Sequence, residues 1–221
     1  MSDDRKRTFD AIRRDAEQQS DKALYPYLKV HIFGPFQDHC YAYLTEVKYQ
    51  LQEFGFENTR VCDDRGNEPP ADATQEERWQ FWWEESEEFI QNADVGTFLF
   101  LDHIFERNSL SDRSLDEARD PSSEGHPKEI NSSVVGELFY WLTNEDQENG
   151  RTLIIFEEGI YDEIGSLIPG LVNLEDVYYE VIENADVESA VEEARQRCMN
   201  WVMDDVREEL QARYFEAEGP L

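Results

Sequence analysis

The stretch Asp94–Leu101, DVGTFLFL, limits the fold more than any other part of the chain. After Asp94 it carries no charge, and Val95, Phe98, Leu99, Phe100 and Leu101 leave neither side of a strand polar. A strand that is apolar on both faces is covered on both faces, the condition of a central strand in a parallel sheet. Parallel neighbours need crossover connections, so helices should alternate with strands along the chain.

They do. Residues 1–25 are charged and helix-permissive, with Phe9, Ile12 and Ala16 as a thin apolar stripe, and Pro26 closes this peripheral helix or docking arm. Leu28–Phe33 reads as a buried strand running into the tight turn Gly34-Pro35-Phe36. Tyr41, Leu44, Val47, Leu51 and Phe54 have helical spacing, and Gly55 suits the position after a helix end. Thr59–Cys62 is a second strand, followed by Asp63-Asp64-Arg65-Gly66 and a loop rich in Pro and Asp. Thr74 and Glu77 form a capping box for a helix reaching about Asn92. Its Trp79, Trp82, Trp83, Phe89 and Ile90 are expected in the core, with a glutamate-rich face in solvent.

After the central strand, residues 105–128 are polar and aperiodic, a long excursion of the kind used for lids or binding loops. The segment Asn131–Leu142, NSSVVGELFYWL, then reads as a helix with one charge inside it, Glu137. Asn149-Gly150 turns the chain into a fourth strand, Arg151–Phe156, followed by Glu157. Residues 160–174 suit a short helix and loop, Val177–Ile182 a fifth strand, and Asp186 the cap of one long final helix. No internal repeat is present. The expectation is an α/β protein with a five-stranded doubly wound parallel sheet, order 2-1-3-4-5, of the flavodoxin-like kind. Residues 1–27 form an N-terminal helical extension, 28–215 the α/β domain with 105–128 inserted as a polar loop, and 216–221 a tail.

The charge narrows the setting. Asp and Glu number 51 against 20 Lys and Arg, a net charge of -31 spread along the whole chain, with only five lysines. Small domains stay soluble at a net charge of roughly 2–8 in magnitude, so this excess fits a salt-loaded cytoplasm, where self-repulsion is screened. Nucleic acid is a poor partner, because no basic stripe exists to displace counterions from phosphates. The one basic cluster, Arg5, Lys6, Arg7, Arg13 and Arg14, suits the acidic body of the same or a neighbouring subunit, which leaves a homo-oligomer open. Cys40, Cys62 and Cys198 are widely spaced and lack a CxxC, as intracellular thiols do. The chain starts without an apolar leader and has no membrane-length run, so a cytoplasmic protein is expected.

Ligands of such sheets bind at the carboxyl ends of the strands, beside the point where the strand order reverses. The residues delivered there are Gly34, Pro35 and Phe36 from strand one, Asp63 and Asp64 from strand two, Asp102 and His103 from strand three, and Glu157 from strand four. The helix opening at Asn131, Ser132 and Ser133 starts from the same edge and carries Glu137 about one turn in. No GxxxxGK[ST] or GxGxxG loop is present, and GPF stands where a phospho-receiver needs acids. Other readings stay open: Glu137 as an exposed glutamate on a half-buried helix, Asp63-Asp64 as a turn, His31 as a satisfied core or edge histidine. His39, His103 and His126 show no metal-ligand spacing, and no metal is expected.

The strings KVHIFGPF, ADVGTFLFLD, SSVVGEL and GRTLIIF, over roughly residues 29–156, resemble the nucleoside 2-deoxyribosyltransferase and TIR-like superfamily, and the chain also resembles acidic proteins of halophilic archaea. In that resemblance Ala93-Asp94 matches the motif before the third strand, and Glu137 matches the catalytic glutamate. It implies a domain that binds a nucleotide or nucleoside and cleaves or transfers an N-glycosidic bond through Glu137. No cofactor is implied, NAD being a candidate substrate. Gly34, Pro35, Phe36, Asp63, Asp102, Ser132 and Ser133 would hold the ligand. The alternative is a catalytically inactive TIR-like interaction or ligand-sensing module. The chain departs from the transferases in having Asn131-Ser132-Ser133-Val134-Val135-Gly136 where they carry Asp-x-Gly-Thr before the glutamate, and it lacks the Trp-Cys of the TIR enzymes.

Overall fold

Val30–Phe33 forms β1, Thr59–Val61 β2, Val95–Phe100 β3, Thr152–Glu157 β4 and Tyr178–Ile182 β5. In the computed structural model, which describes residues 21–35, 38–61, 68–101, 131–144, 151–158, 160, 177–182 and 187–218, these make one sheet in the order β2-β1-β3-β4-β5. Every pairing is parallel, with Phe33 opposite Phe98 and Phe100 opposite Phe156. The doubly wound flavodoxin-like sheet expected from the alternation of elements is the fold. Among the described residues no helix is long and apolar enough to cross a membrane.

The two-residue period of the strands divides the core in two. Val30, Ile32, Val95, Leu99, Leu101, Leu153 and Ile155 face helices α1 (Asp38–Phe54) and α4 (Val187–Asp204). Phe33, Phe98, Phe100, Ile154 and Phe156 face α2 (Gln75–Gln91) and α3 (Ser132–Thr143). Local signals set the helix ends. Gly55, at φ 121°, stops α1, and its N–H and that of Phe56 return to the carbonyls of Gln52 and Leu51, a Schellman closure. At the start of α2 the Glu77 carboxylate accepts from Thr74 N–H at 2.7 Å, while Thr74 Oγ1 accepts from Glu77 N–H at 3.3 Å.

Three expectations change. The final helix is two helices, α4 and α5 (Arg207–Glu218), broken where the N–H groups of Asp205 and Val206 both return to Trp201 C=O. The eighteen residues of α4 run about 27 Å, already longer than a six-residue strand of about 20 Å. Val206 and Leu210 therefore reach the core only if the chain turns back. The bent-back α5 delivers Arg213 to the amino edge of the sheet, where its guanidinium donates to both Asp94 carboxylate oxygens, at 2.5 and 2.8 Å, and to Tyr27 C=O. Pro26, expected to end the N-terminal element, lies within a 3-10 turn, Tyr25–Tyr27, whose Tyr25 is buried.

The third change concerns the tryptophans. Phe89 and Ile90 are buried as expected, but Trp79, Trp82 and Trp83 are 68%, 47% and 55% exposed. They lie on the same stripe of α2 as the buried pair, so the cause is length and not phase. The helix is about 26 Å long, whereas the neighbouring strands β1 and β2 have four and three residues. Its first turns overhang the carboxyl edge of the sheet.

Candidate functional site

The strand order reverses between β1 and β3. From β1 the chain enters α1 on one face, and from β3 it proceeds to α3 on the other. The crevice of a doubly wound sheet lies at the carboxyl ends of these two strands.

Gly34 and Pro35 follow β1 directly and are buried. A Cβ on Gly34 would stand 2.4 Å from Leu44 Cδ2. The glycine therefore lets the end of β1 pass tightly against α1, a packing role that holds whatever ligand comes near.

At the end of β3, Asn131 is fully buried and clips α3 to the strand. Its Oδ1 accepts from Leu101 N–H at 3.0 Å and its Nδ2 donates to Leu101 C=O at 2.9 Å. An aspartate has no donor for the second bond. The amide is spent on Leu101 and makes no side-chain cap to its own helix. Asn131 thus sets where α3 starts.

From there α3 descends antiparallel to the strands. Trp141 reaches the bottom, its ring 3.1 Å from where a Gly96 Cβ would be and edge-on to Phe33 and Phe98. Glu137 shares that side of the helix four residues earlier, about 6 Å nearer the carboxyl edge. That is the level of the paired Phe33 and Phe98, near the carboxyl ends of β1 and β3. Glu137 is 8% exposed, so the reading of it as a solvent-facing glutamate is corrected: packing of Val134, Leu138 and Trp141 rotates it inward. A carboxylate in such a place is costly unless it is paired or used.

A second buried carboxylate stands at the same edge on the opposite face. Glu157 ends β4 and is 1% exposed. Burial, and after it the Glu157 charge, push the Cys40 thiol up to about 12. Cys40 therefore stays protonated near neutrality and is no nucleophile. Cys198, wholly buried in α4, is raised by burial too.

The other candidates separate. Ser132 and Ser133 occupy the first turn of α3, where Ser133 is exposed. Phe36, Asp63, Asp64, Asp102 and His103 lie outside the described residues, as do the 105–128 excursion and the basic cluster of residues 5–14. Asp94 is at the opposite edge, where it also accepts from Lys29 N–H at 2.9 Å, so its place is structural. His31 is a satisfied core histidine: Nδ1–H donates to Phe89 C=O at 2.7 Å, the ring stacks on Phe89, and burial lowers its pKa to about 4. Among the described residues no group of three His, Cys, Asp or Glu is placed to hold a metal ion.

Sequence reasoning missed the seam between α2 and α3. Tyr140 Oη donates to Glu87 at 2.5 Å, and the Tyr140 ring meets Trp83 edge-on at 5.7 Å. Only the unequal lengths of α2 and its strands hinted that the tryptophans near this seam would emerge.

No family model, curated protein or solved structure matches the chain.

Proposed function

We propose that the crevice at the carboxyl ends of β1 and β3 binds a nucleotide or nucleoside, and that Glu137 cleaves or transfers its N-glycosidic bond. The observation that supports this is one buried carboxylate, Glu137, on a rigidly packed helix at the level of the carboxyl ends of β1 and β3. The carboxylate attacks the anomeric carbon, or stabilises an oxocarbenium-like centre, as the base departs. Ser133, one turn up the helix, and the chain around Gly34 and Pro35 contact the sugar. The resemblance of KVHIFGPF and SSVVGEL to the deoxyribosyltransferase and TIR-like superfamily points the same way. The net charge of -31 is suited to a salt-rich cytoplasm.

The test is release of base from deoxynucleosides, or nicotinamide from NAD, by purified protein in high KCl. Glu137→Gln should lower turnover by at least about a hundredfold, equivalent to about 3 kcal/mol of barrier. Equal rates for wild type and variant would end the enzymatic reading. The second reading, a catalytically silent interaction or ligand-sensing module, is favoured by β5, an edge strand whose Tyr178, Tyr179 and Val181 are exposed. It predicts self-association without turnover.

A further inference from the structure

We infer that Trp79 and Trp83 on α2, facing Ser133, Gly136 and Glu137 on α3, form a slot that holds a planar heterocyclic base carried on a sugar. This rests on the function proposed above and assigns the base-binding wall of the same site.

Side-chain contacts fix how the two helices face each other. The seam closes at Tyr140, which meets Glu87 and the Trp83 ring, with Gln91 Nε2 3.5 Å from its hydroxyl. Both helices run from the carboxyl edge toward the amino edge, so one turn earlier on each lies higher in the same groove. One turn above Trp83 on α2 is Trp79, and one turn above Tyr140 on α3 are Gly136 and Glu137, with Ser133 above them. The row of indoles thus confronts a row of small residues ending on a carboxylate.

Among the described residues the groove is open above Tyr140. Trp79 and Trp83 are 68% and 55% exposed. A Cβ placed on Gly136 would meet nothing within 4 Å, and Ser133 is exposed. Packed helices stand about 8–10 Å apart. Glycine and serine on one side leave room against the indoles on the other, while Glu137 is buried at the floor, level with the end of β1.

The chemistry selects the occupant. Indole faces stack on any base, because every base has a π-face. Carboxylates border the slot, Glu87 at its foot and Glu137 at its floor, so the phosphate end of a ligand does not enter here. A neutral or cationic ring does, and its sugar carbon is then brought toward Glu137. Trp82 stands about 100° round α2 from Trp83, meets Phe81 edge-on, and serves as the control.

The experiment follows indole fluorescence of the full chain in high KCl as deoxyadenosine or NAD is added, for wild type, Glu137→Gln, Trp79→Leu, Trp83→Leu and Trp82→Leu. The substituted tryptophans are exposed, and circular dichroism checks that each variant is folded. The expected result is quenching in wild type and Glu137→Gln. Affinity should fall at least tenfold in Trp79→Leu and Trp83→Leu and stay unchanged in Trp82→Leu. Binding without turnover would keep the slot and remove the glycosidic reading. Turnover with unchanged affinity in the Trp79 and Trp83 variants would overturn the slot and keep the reading. Absence of binding in wild type overturns both. If the same two substitutions instead dissolve a dimer seen by light scattering, the indoles belong to an interface between copies and the slot is wrong.

Discussion

His31 gives the clearest single-residue consequence. In the fold it is neutral, with Nδ1–H donating to Phe89 C=O and the ring stacked on Phe89. Burial lowers its pKa to about 4 from the ordinary 6.5. As pH falls below the unfolded value, the unfolded chain takes up a proton that the folded chain refuses. Stability contributed by the neutral ring is therefore present above about 6.5, and it is lost progressively down to about 4. The full loss is up to roughly 3 kcal/mol. Replacing His31 by Asn keeps a donor near Phe89 C=O and removes the titration. Urea midpoints measured between pH 7 and 4 should fall more steeply for wild type than for His31→Asn; parallel curves would show that His31 is not the group being protonated. The histidine's satisfied state was legible in the sequence, since a lone His inside an apolar strand needs one partner. The identity of that partner, a carbonyl on α2 far along the chain, was not.

At the scale of elements, the position of Glu137 depends on how α3 sits on β3. Two contacts hold it: the Asn131 amide on the Leu101 backbone above, and Trp141 against Gly96 below. Gly96 is there for approach, because a methyl group would come within 2.8 Å of Phe98 Cε2 and 3.1 Å of Trp141 Cη2. Both are atoms of rigid rings in a buried layer, and neither ring yields easily. Gly96→Ala should cost about 1–3 kcal/mol by overpacking, read as a lower urea midpoint. It should also change the near-ultraviolet circular dichroism of Trp141. An unchanged midpoint would mean that α3 slides freely on the sheet and that nothing fixes Glu137. Periodicity placed both elements correctly in the sequence, and local capping signals did the same for Thr74 with Glu77 and for Gly55. It failed where relative length decides. Whether a tryptophan stripe is covered depends on how far the neighbouring strands extend beneath it, and whether a final helix bends depends on the length of the sheet it crosses. Neither is local information. Asp94 belongs with these: the motif match before the third strand named no partner for it, and the bend before α5 supplies Arg213.

For the whole molecule, strand order was legible because one chemical fact, a central strand apolar on both faces, forces crossovers and leaves few topologies. The candidate site was legible only as an edge and one carboxylate, since the walls proposed for it come from segments distant in sequence. Charge acts at this scale as well. With 51 acidic and 20 basic side chains, repulsion among carboxylates should outweigh the attraction of pairs such as Arg151–Glu209 and Arg207–Asp21. Raising KCl shortens the screening length from about 10 Å at 0.1 M to about 3 Å at 1 M. Repulsion between carboxylates on neighbouring surfaces falls away, while ion pairs in contact and the two apolar layers persist. Unfolding relieves that repulsion by letting the charges separate, so low salt favours the unfolded chain. The melting temperature should therefore climb over this range of KCl, and most of the gain should come at the low end, where screening changes fastest. Sucrose, which is uncharged and stabilises by exclusion from the surface, should raise it without that early steep phase. A melting temperature independent of KCl, or one following sucrose and salt alike, would show that charge repulsion does not limit this fold and that its acidity serves another purpose.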